Sequence, residues 1–413
     1  MNTFDDALKY LEHLCIFGIK AGLERTLALV DKLGNPQNCY RTVHVAGTNG
    51  KGSVCAMLAE ILHASGLHVG LFTSPHLESY CERIRILGKQ VSRESGKQNS
   101  NFLIPCFTNS LISEADFAEE IFRVKATGVD CSHFETLTGA AFDYFKRRGV
   151  DIAVVEVGLG GTLDSTNVVT PEVAVITNVA RDHENILGDL DSIARNKAGI
   201  IKPNVPCVTG ATSTTLEIIR SVADEKNSPL HVVTKPFDGE INLRGDYQKL
   251  NAAIAIETAR LLGVDDEKIF SALKRVTWAG RFEIHDSLVI DGAHNPHGAT
   301  ALRKALDETF PLGRRAFVFG VLSDKNFSEM IKILFRTDDF VVVTEPPSTR
   351  AAKAETICAL LDERKISCVA VKDNLAAVKK LFSTTADVKI IAGSLYLIGA
   401  IRSDALKFRG RHG

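Results

Sequence analysis

The stretch Val43-His44-Val45-Ala46-Gly47-Thr48-Asn49-Gly50-Lys51-Gly52-Ser53 decides how this chain is read. A short apolar run enters a glycine-rich turn that carries a lysine and a serine. Behind it, Met57, Leu58, Ile61 and Leu62 recur at helical spacing within Val54 to Ala64. Strand, glycine loop and helix in that order suit a phosphate. Successive backbone N–H groups and the helix N-terminus face the anion, Lys51 adds charge, and the Ser53 hydroxyl can reach Mg²⁺. The strict G-x-x-x-x-G-K-[ST] spacing is not met, because Val45 stands at the first glycine and Gly52 separates Lys51 from Ser53. A glycine-rich strand-to-helix turn without a ligand is the competing reading.

The chain has 413 residues, too many for one ordinary core, so two domains are expected, with three as the alternative. Hydrophobic content of 45% and charged content of 24% are those of a soluble globular protein. Lys+Arg of 49 against Asp+Glu of 50 leaves no net field to attract nucleic acid or an anionic membrane. Met1 to Tyr10 carry early charges and no long apolar run, so neither a signal peptide nor a membrane span is expected. Nine cysteines are scattered singly without a C-x-x-C pair, which argues against a disulfide framework or zinc cluster and for reduced thiols in a cytoplasmic protein; a monomer is expected.

His68 to Thr73 reads as a second buried strand, completing a β-α-β unit and implying a largely parallel sheet. Thr73-Ser74-Pro75-His76 then lies at a strand's carboxyl end, where open α/β sheets place ligands. Arg83 to Leu87 and Val91 suggest a small hairpin turning at Gly88, and residues 93–113 an inserted loop. His133 to Lys146 has helical spacing. Asp151 to Val157 is an almost wholly apolar strand ending in Glu156; this carboxylate is either a Walker-B-like Mg²⁺ ligand or a strand-end group reaching solvent. Gly158-Leu-Gly-Gly161 follows as a backbone-approach loop. His183, beside Asp182 at a strand exit, is a metal ligand or an ordinary loop residue, and Lys197 could be a helix-surface cation. Near 282–287 the pattern restarts with a strand, Asp291-Gly-Ala-His-Asn-Pro296 and alternating helices and strands. This predicts domains over 1–284 and 285–413, the second a smaller Rossmann-like α/β unit.

The ordered set His44-Val-Ala-Gly-Thr-Asn-Gly-Lys-Gly-Ser53, Thr73-Ser-Pro-His76, Glu82-Arg-Ile84, Glu156-Val-Gly-Leu-Gly-Gly161, Asp182-His183, Lys197-Ala-Gly-Ile-Ile-Lys-Pro203, Asn251-Ala-Ala253, Gly280-Arg281, Asp291-Gly-Ala-His-Asn-Pro296 and Gly393-Ser-Leu-Tyr396 resembles the folylpolyglutamate synthase/dihydrofolate synthase family of the Mur-ligase superfamily. The resemblance spans nearly the whole chain. It implies a P-loop-containing, Mur-ligase-like ATP domain followed by a glutamate-ligase domain, with ATP and Mg²⁺ as cofactors. Gly47, Thr48, Asn49, Gly50, Lys51, Gly52 and Ser53 would hold the ATP phosphates, with Asn251, Arg281 and Asp291 as further ATP contacts. Ser53, Ser74, Glu156 and His183 would be Mg²⁺ ligands, joined by Lys197, a lysine carbamylated in this family. Phe134 and Asp164 fall where the pterin-bearing substrate is expected; His294 and Ser394 match positions associated with incoming glutamate. Lys51, Lys197, Arg281 and His294 would carry the catalysis.

The implied reaction joins L-glutamate to 7,8-dihydropteroate through an acyl phosphate, with extension of reduced folates as a second activity. A polyglutamylating enzyme without the first reaction is the nearest rival, and a Mur ligase acting on a UDP-sugar acid is another. A non-catalytic nucleotide-binding regulator could share the 47–53 loop but would not need Arg281 or the Asp291 loop. Thr162, Ser165, Arg181, Tyr247 and Ala279 depart from the family pattern; Thr162 and Ser165 lie near the expected pterin site. An NAD-type dehydrogenase is disfavoured, since no G-x-G-x-x-G follows a strand at either domain start.

Overall fold

The computed structural model describes residues 3–15, 22–89, 107–182 and 184–409. The expected α/β organisation is present twice. The first sheet contains β1 (Arg41–Ala46), β2 (Val69–Phe72), β3 (Ile84–Lys89), β4 (Phe107–Leu111), β5 (Ile152–Glu156), β6 (Val173–Ile176), β7 (Cys207–Thr209) and β8 (Leu230–Val232). Its order is β4-β3-β2-β5-β1-β6-β7-β8, parallel from β2 to β8 and antiparallel at β3 and β4. The apolar runs are continuous because helices cover both faces: β2, β5 and β6 are buried throughout, and only Arg41 of β1 is exposed. Met57, Leu58, Ile61 and Ile254 belong to the core on one face, and Leu11, Phe117, Phe142 and Phe145 to that on the other.

Two local expectations are corrected. Residues 84–89 do not turn at Gly88 but form β3, held between β2 and β4, with Gly88 opposite Thr108. The glycine is there for close approach, because a Cβ would collide with the His68 ring. Residues 107–111, expected inside an irregular loop, form β4. Val91 lies outside the described residues.

The second sheet has β9 (Glu283–His285), β10 (Leu288–Asp291), β11 (Arg315–Phe319), β12 (Phe340–Val343), β13 (Ser367–Ala370) and β14 (Val388–Ala392), in the order β13-β12-β11-β14-β10-β9. All pairs are parallel except the edge strand β9. The two sheets are joined along one side by the helix Leu395–Arg409. Arg402 on that helix binds Glu283 at 2.6 Å and reaches Glu78, from the first half, at 2.9 Å. Gly399 on the same helix lies against the Leu77 carbonyl so closely that any side chain would overlap it. Among the described residues, no helix is long and apolar enough to cross a membrane, and each cysteine is a free thiol.

Candidate active site

The site is built where strands end. Register sets Val45 beside Glu156, Ala46 beside Ile176 and Phe72 beside Val155, so β2, β5, β1 and β6 finish on one edge. At a strand spacing of about 4.8 Å, Ser74, Glu156, the 47–53 loop and Asn178 become neighbours. The second sheet does the same with Asp291, Ala392 and Phe319, which are aligned across β10, β14 and β11.

The glycine loop takes its shape from the segment after β6. Asn178 accepts from the Thr48 N–H with its carbonyl (3.0 Å) and from the Asn49 N–H with its side chain (3.0 Å). Thr177 Oγ1 and Asn178 Nδ2 donate to the Asn49 carbonyl at 2.6 and 2.9 Å. Gly50 caps the helix Lys51–Ala64 at φ 84°, in the left-handed region, and its missing Cβ would sit 2.5 Å from Asn251 Oδ1. Gly50→Ala should therefore destabilise the protein by about 1–3 kcal/mol and, on the sequence expectation that this loop holds phosphate, weaken nucleotide binding. Thermal unfolding and nucleotide titration test this, and unchanged ATP affinity would contradict the loop's role.

Two ammonium groups converge on this loop. Lys51 Nζ donates to the carbonyls of Gly47 (3.1 Å) and Thr48 (3.4 Å), and Lys197 Nζ donates to Gly47 (3.0 Å). Lys197 is only 5% exposed, so it is no helix-surface cation. Burial, then the Lys51 charge, pushes its pKa down to about 7. Glu156 is 4% exposed, which removes the solvent-reaching alternative. It accepts the Ser74 N–H at 2.9 Å, and burial raises its pKa against the pull of Lys51. A buried carboxylate facing a phosphate loop fits a divalent cation, which would hold it ionised. Among the described residues no three His, Cys, Asp or Glu side chains cluster to hold a metal. One carboxylate, hydroxyls and phosphate oxygens are the donor set Mg²⁺ ordinarily takes. His183 lies outside the described residues.

Across the cleft, Asp291 is buried and accepts from the N–H groups of Phe282 (2.7 Å) and Ala293 (2.8 Å). Tyr247 reaches it at 3.5 Å. His294 Nδ1 lies 2.8 Å from the Gly292 carbonyl. Burial and then Lys325 drop the His294 pKa to about 4. The ring is therefore neutral at pH 7, with its proton on Nδ1 and a lone pair on Nε2. Asp182 ties the halves together: its carboxylate takes Lys325 Nζ at 2.7 Å and Asn295 Nδ2 at 3.1 Å. Asn49 of the glycine loop adds contacts to Asn295 (3.1 Å) and His297 (3.0 Å).

Two cavities result. One of about 440 Å³ is lined by the 47–53 loop, Glu156, Lys197, Asn251, Arg281 and Asp291. The other, of about 560 Å³, has Phe134, Leu159, Leu163, Lys325 and Ser394 in its wall. Ser74 and His294 line both, so the cavities adjoin. Phe134 stacks on Phe72 with ring centroids 5.9 Å apart. Asp164 also faces the larger cavity, but its oxygens hold its own loop, accepting from the N–H groups of Leu159 (2.9 Å) and Thr166 (3.0 Å). Ser394 Oγ accepts the Tyr396 N–H at 3.2 Å. The structure thus brings together every candidate among the described residues. Sequence reading missed Lys325 and Gln248. Lys325 follows β11, and the rule that strand carboxyl ends hold ligands could have found it.

Known proteins resemble this chain in sequence and fold. The chain matches the family model of the Mur ligase middle domain over residues 134–235 and that of the Mur ligase glutamate ligase domain over 280–395. It is 33% identical to the dihydrofolate synthase/folylpolyglutamate synthase of Bacillus subtilis, covering 97% of this chain and 98% of the relative. It is 32% identical, over 97% of its length, to a probable bifunctional folylpolyglutamate synthase/dihydropteroate synthase of Haloferax volcanii, but spans only 50% of that longer protein. The crystal structure of the bifunctional folylpolyglutamate synthase/dihydrofolate synthase of Yersinia pestis, complexed with AMPPNP and a Mn ion, superposes with a TM-score of 0.83 at 29% identity, over 97% of this chain and 98% of that one. Near end-to-end identity of 33% with a curated relative, on a two-sheet architecture whose halves match Mur-ligase models, makes this chain a member of the dihydrofolate synthase/folylpolyglutamate synthase family of Mur ligases.

Proposed function

We propose that the protein is an ATP-dependent ligase that joins L-glutamate to 7,8-dihydropteroate, with glutamate extension of reduced folates as a second activity. The observation that carries this reading is the pair of adjoining cavities sharing Ser74 and His294, one lined by the glycine loop and one mixed apolar and cationic. The acceptor carboxylate attacks the γ-phosphorus of ATP, the bond to ADP breaks, and an acyl phosphate forms. The glutamate amine then attacks the acyl carbon and phosphate leaves, completing the amide. Lys51, the loop amides and Arg281 neutralise the phosphate oxygens as the two anions approach. Ser53, Ser74 and Glu156 would hold Mg²⁺, which supplies further neutralisation of the same oxygens. Asn251 and Asp291 bind the rest of the nucleotide. Phe134 and Asp164 border the pterin, while Ser394 and the Nε2 lone pair of His294 orient the glutamate amine. Contacts across the cleft exclude water from the acyl phosphate.

Lys197 has a further part in this reading. At a pKa of about 7 roughly half of it is a neutral amine at pH 7, able to attack the carbon of CO2. The N–C bond forms, a proton leaves to solvent, and the resulting carbamate faces the metal position as an anion. We place the domains at 1–284 and 285–413, with β9 lying across the division, and the protein in the cytoplasm as a monomer.

Incubation with ATP, Mg²⁺, glutamate and either dihydropteroate or a reduced monoglutamyl folate tests the function, read by mass spectrometry. Dihydropteroate should gain one glutamyl residue. Gain by the folate alone would leave a polyglutamylating enzyme only, and no gain by either would overturn the proposal.

A further inference from the structure

Gln248 is fully buried at the start of the helix Asp246–Leu261, which packs against the glycine-loop helix Lys51–Ala64. Its side chain makes two contacts. Gln248 Nε2 donates to Ser53 Oγ at 3.1 Å, and Gln248 Oε1 accepts from Asn251 Nδ2 at 2.9 Å. In this arrangement the Gln248 oxygen accepts from the Asn251 amide and its NH2 group faces Ser53. Ser53 is itself fully buried in the first turn of its helix. A serine hydroxyl has two lone pairs and one proton. A donor from Gln248 occupies one lone pair and leaves the other free on a residue that lines the glycine-loop cavity.

We infer that Gln248 is a positioning residue for the metal–nucleotide complex: it holds Ser53 with a free lone pair aimed at the cation while keeping Asn251 against the loop. This rests on the proposed role of Ser53 as a metal ligand. Asn251 Oδ1 lies 2.5 Å from where a Cβ of Gly50 would be, so the hydrogen-bonded pair Gln248–Asn251 on the second helix sits against both ends of the phosphate-loop turn. Partners that orient a metal ligand change metal affinity or activity by about 10–100-fold when removed.

The test is calorimetric titration of the full-length protein with ADP, with and without Mg²⁺, comparing wild type, Gln248→Met, Ser53→Ala and the double variant. Expected for Gln248→Met is a loss of about 10-fold or more in the Mg²⁺-dependent gain in ADP affinity, beyond the smaller fall in metal-free ADP affinity that loosening Asn251 brings. In the Ser53→Ala background the same change should have no further effect. Metal-free ADP binding also reports whether each variant is folded. Should methionine disturb the packing, Gln248→Asn, one methylene shorter, should show the same loss. An unaltered Mg²⁺-dependent gain in Gln248→Met would overturn the inference, as would an equal fall with and without metal, which would make Gln248 a packing residue only. If Ser53→Ala itself leaves the Mg²⁺ effect intact, it is the reading of Ser53 as a ligand that fails. Glutamyl transfer measured separately leaves the ligase proposal independent of both.

Discussion

Glu156→Gln is expected to lower turnover about a thousandfold, equivalent to about 4 kcal/mol in the barrier, without making the ligand-free protein less stable. The two effects part for one reason. Glu156 is 4% exposed, and burial raises its pKa despite Lys51, the Ser74 N–H and Arg281. A carboxyl whose folded pKa lies above its unfolded value binds protons more readily when folded. Its ionised form therefore costs stability above that range, and the cost fades as pH falls. Glutamine keeps the shape and can still accept the Ser74 N–H through its carbonyl, yet carries no charge. The ligand-free variant should melt at the same or a higher temperature at pH 7.5. Stabilisation by Mg²⁺ with ADP, which acts through ligand binding, should shrink. A variant that kept wild-type turnover would remove Glu156 from the metal site.

Lys197→Met should cost comparable activity while changing the pH dependence of stability in a direction fixed by the folded-state titration. The amine titrates near 7 when folded, against 10.5 for an ordinary lysine in water. Between those values the unfolded chain holds a proton that the folded chain has released, so stability rises with pH from about 7 to 10.5. Below 7 the folded protein carries the buried charge, at a cost on the order of 5 kcal/mol. Methionine removes that contribution. The variant should be more stable than wild type at pH 7, and denaturant titrations from pH 7 to 10 should lose part of the upward slope. Carbamate formation adds a second readout: a ¹³C resonance from labelled bicarbonate, present in wild type and missing from the variant. An identical pH slope in both proteins would show that Lys197 titrates normally, and a shared resonance would place the carbamate elsewhere.

The sequence by itself determined what depends on neighbours along the chain. β1, the glycine turn and its helix are legible because apolar period and glycine position are local properties. The same holds for Glu156 at the end of an unbroken apolar run, and for the ordered motifs that carry the family resemblance. Local reading failed where pairing partners are distant. Residues 84–89 looked like a hairpin because nothing nearby announces that β2 and β4 flank them. Lys325 looked ordinary until folding set it 2.7 Å from Asp182, 143 positions away.

Only the tertiary structure decided which groups share a site and what state they are in. Lys51 and Lys197 meet at one carbonyl although Lys197 lies 150 residues beyond Gly47, and Gln248 crosses 195 residues to reach Ser53. The neutral His294 ring and the lowered Lys197 amine exist because folding removes water from them. Desolvation and charge proximity are set by packing in three dimensions, and no spacing along a chain encodes them directly.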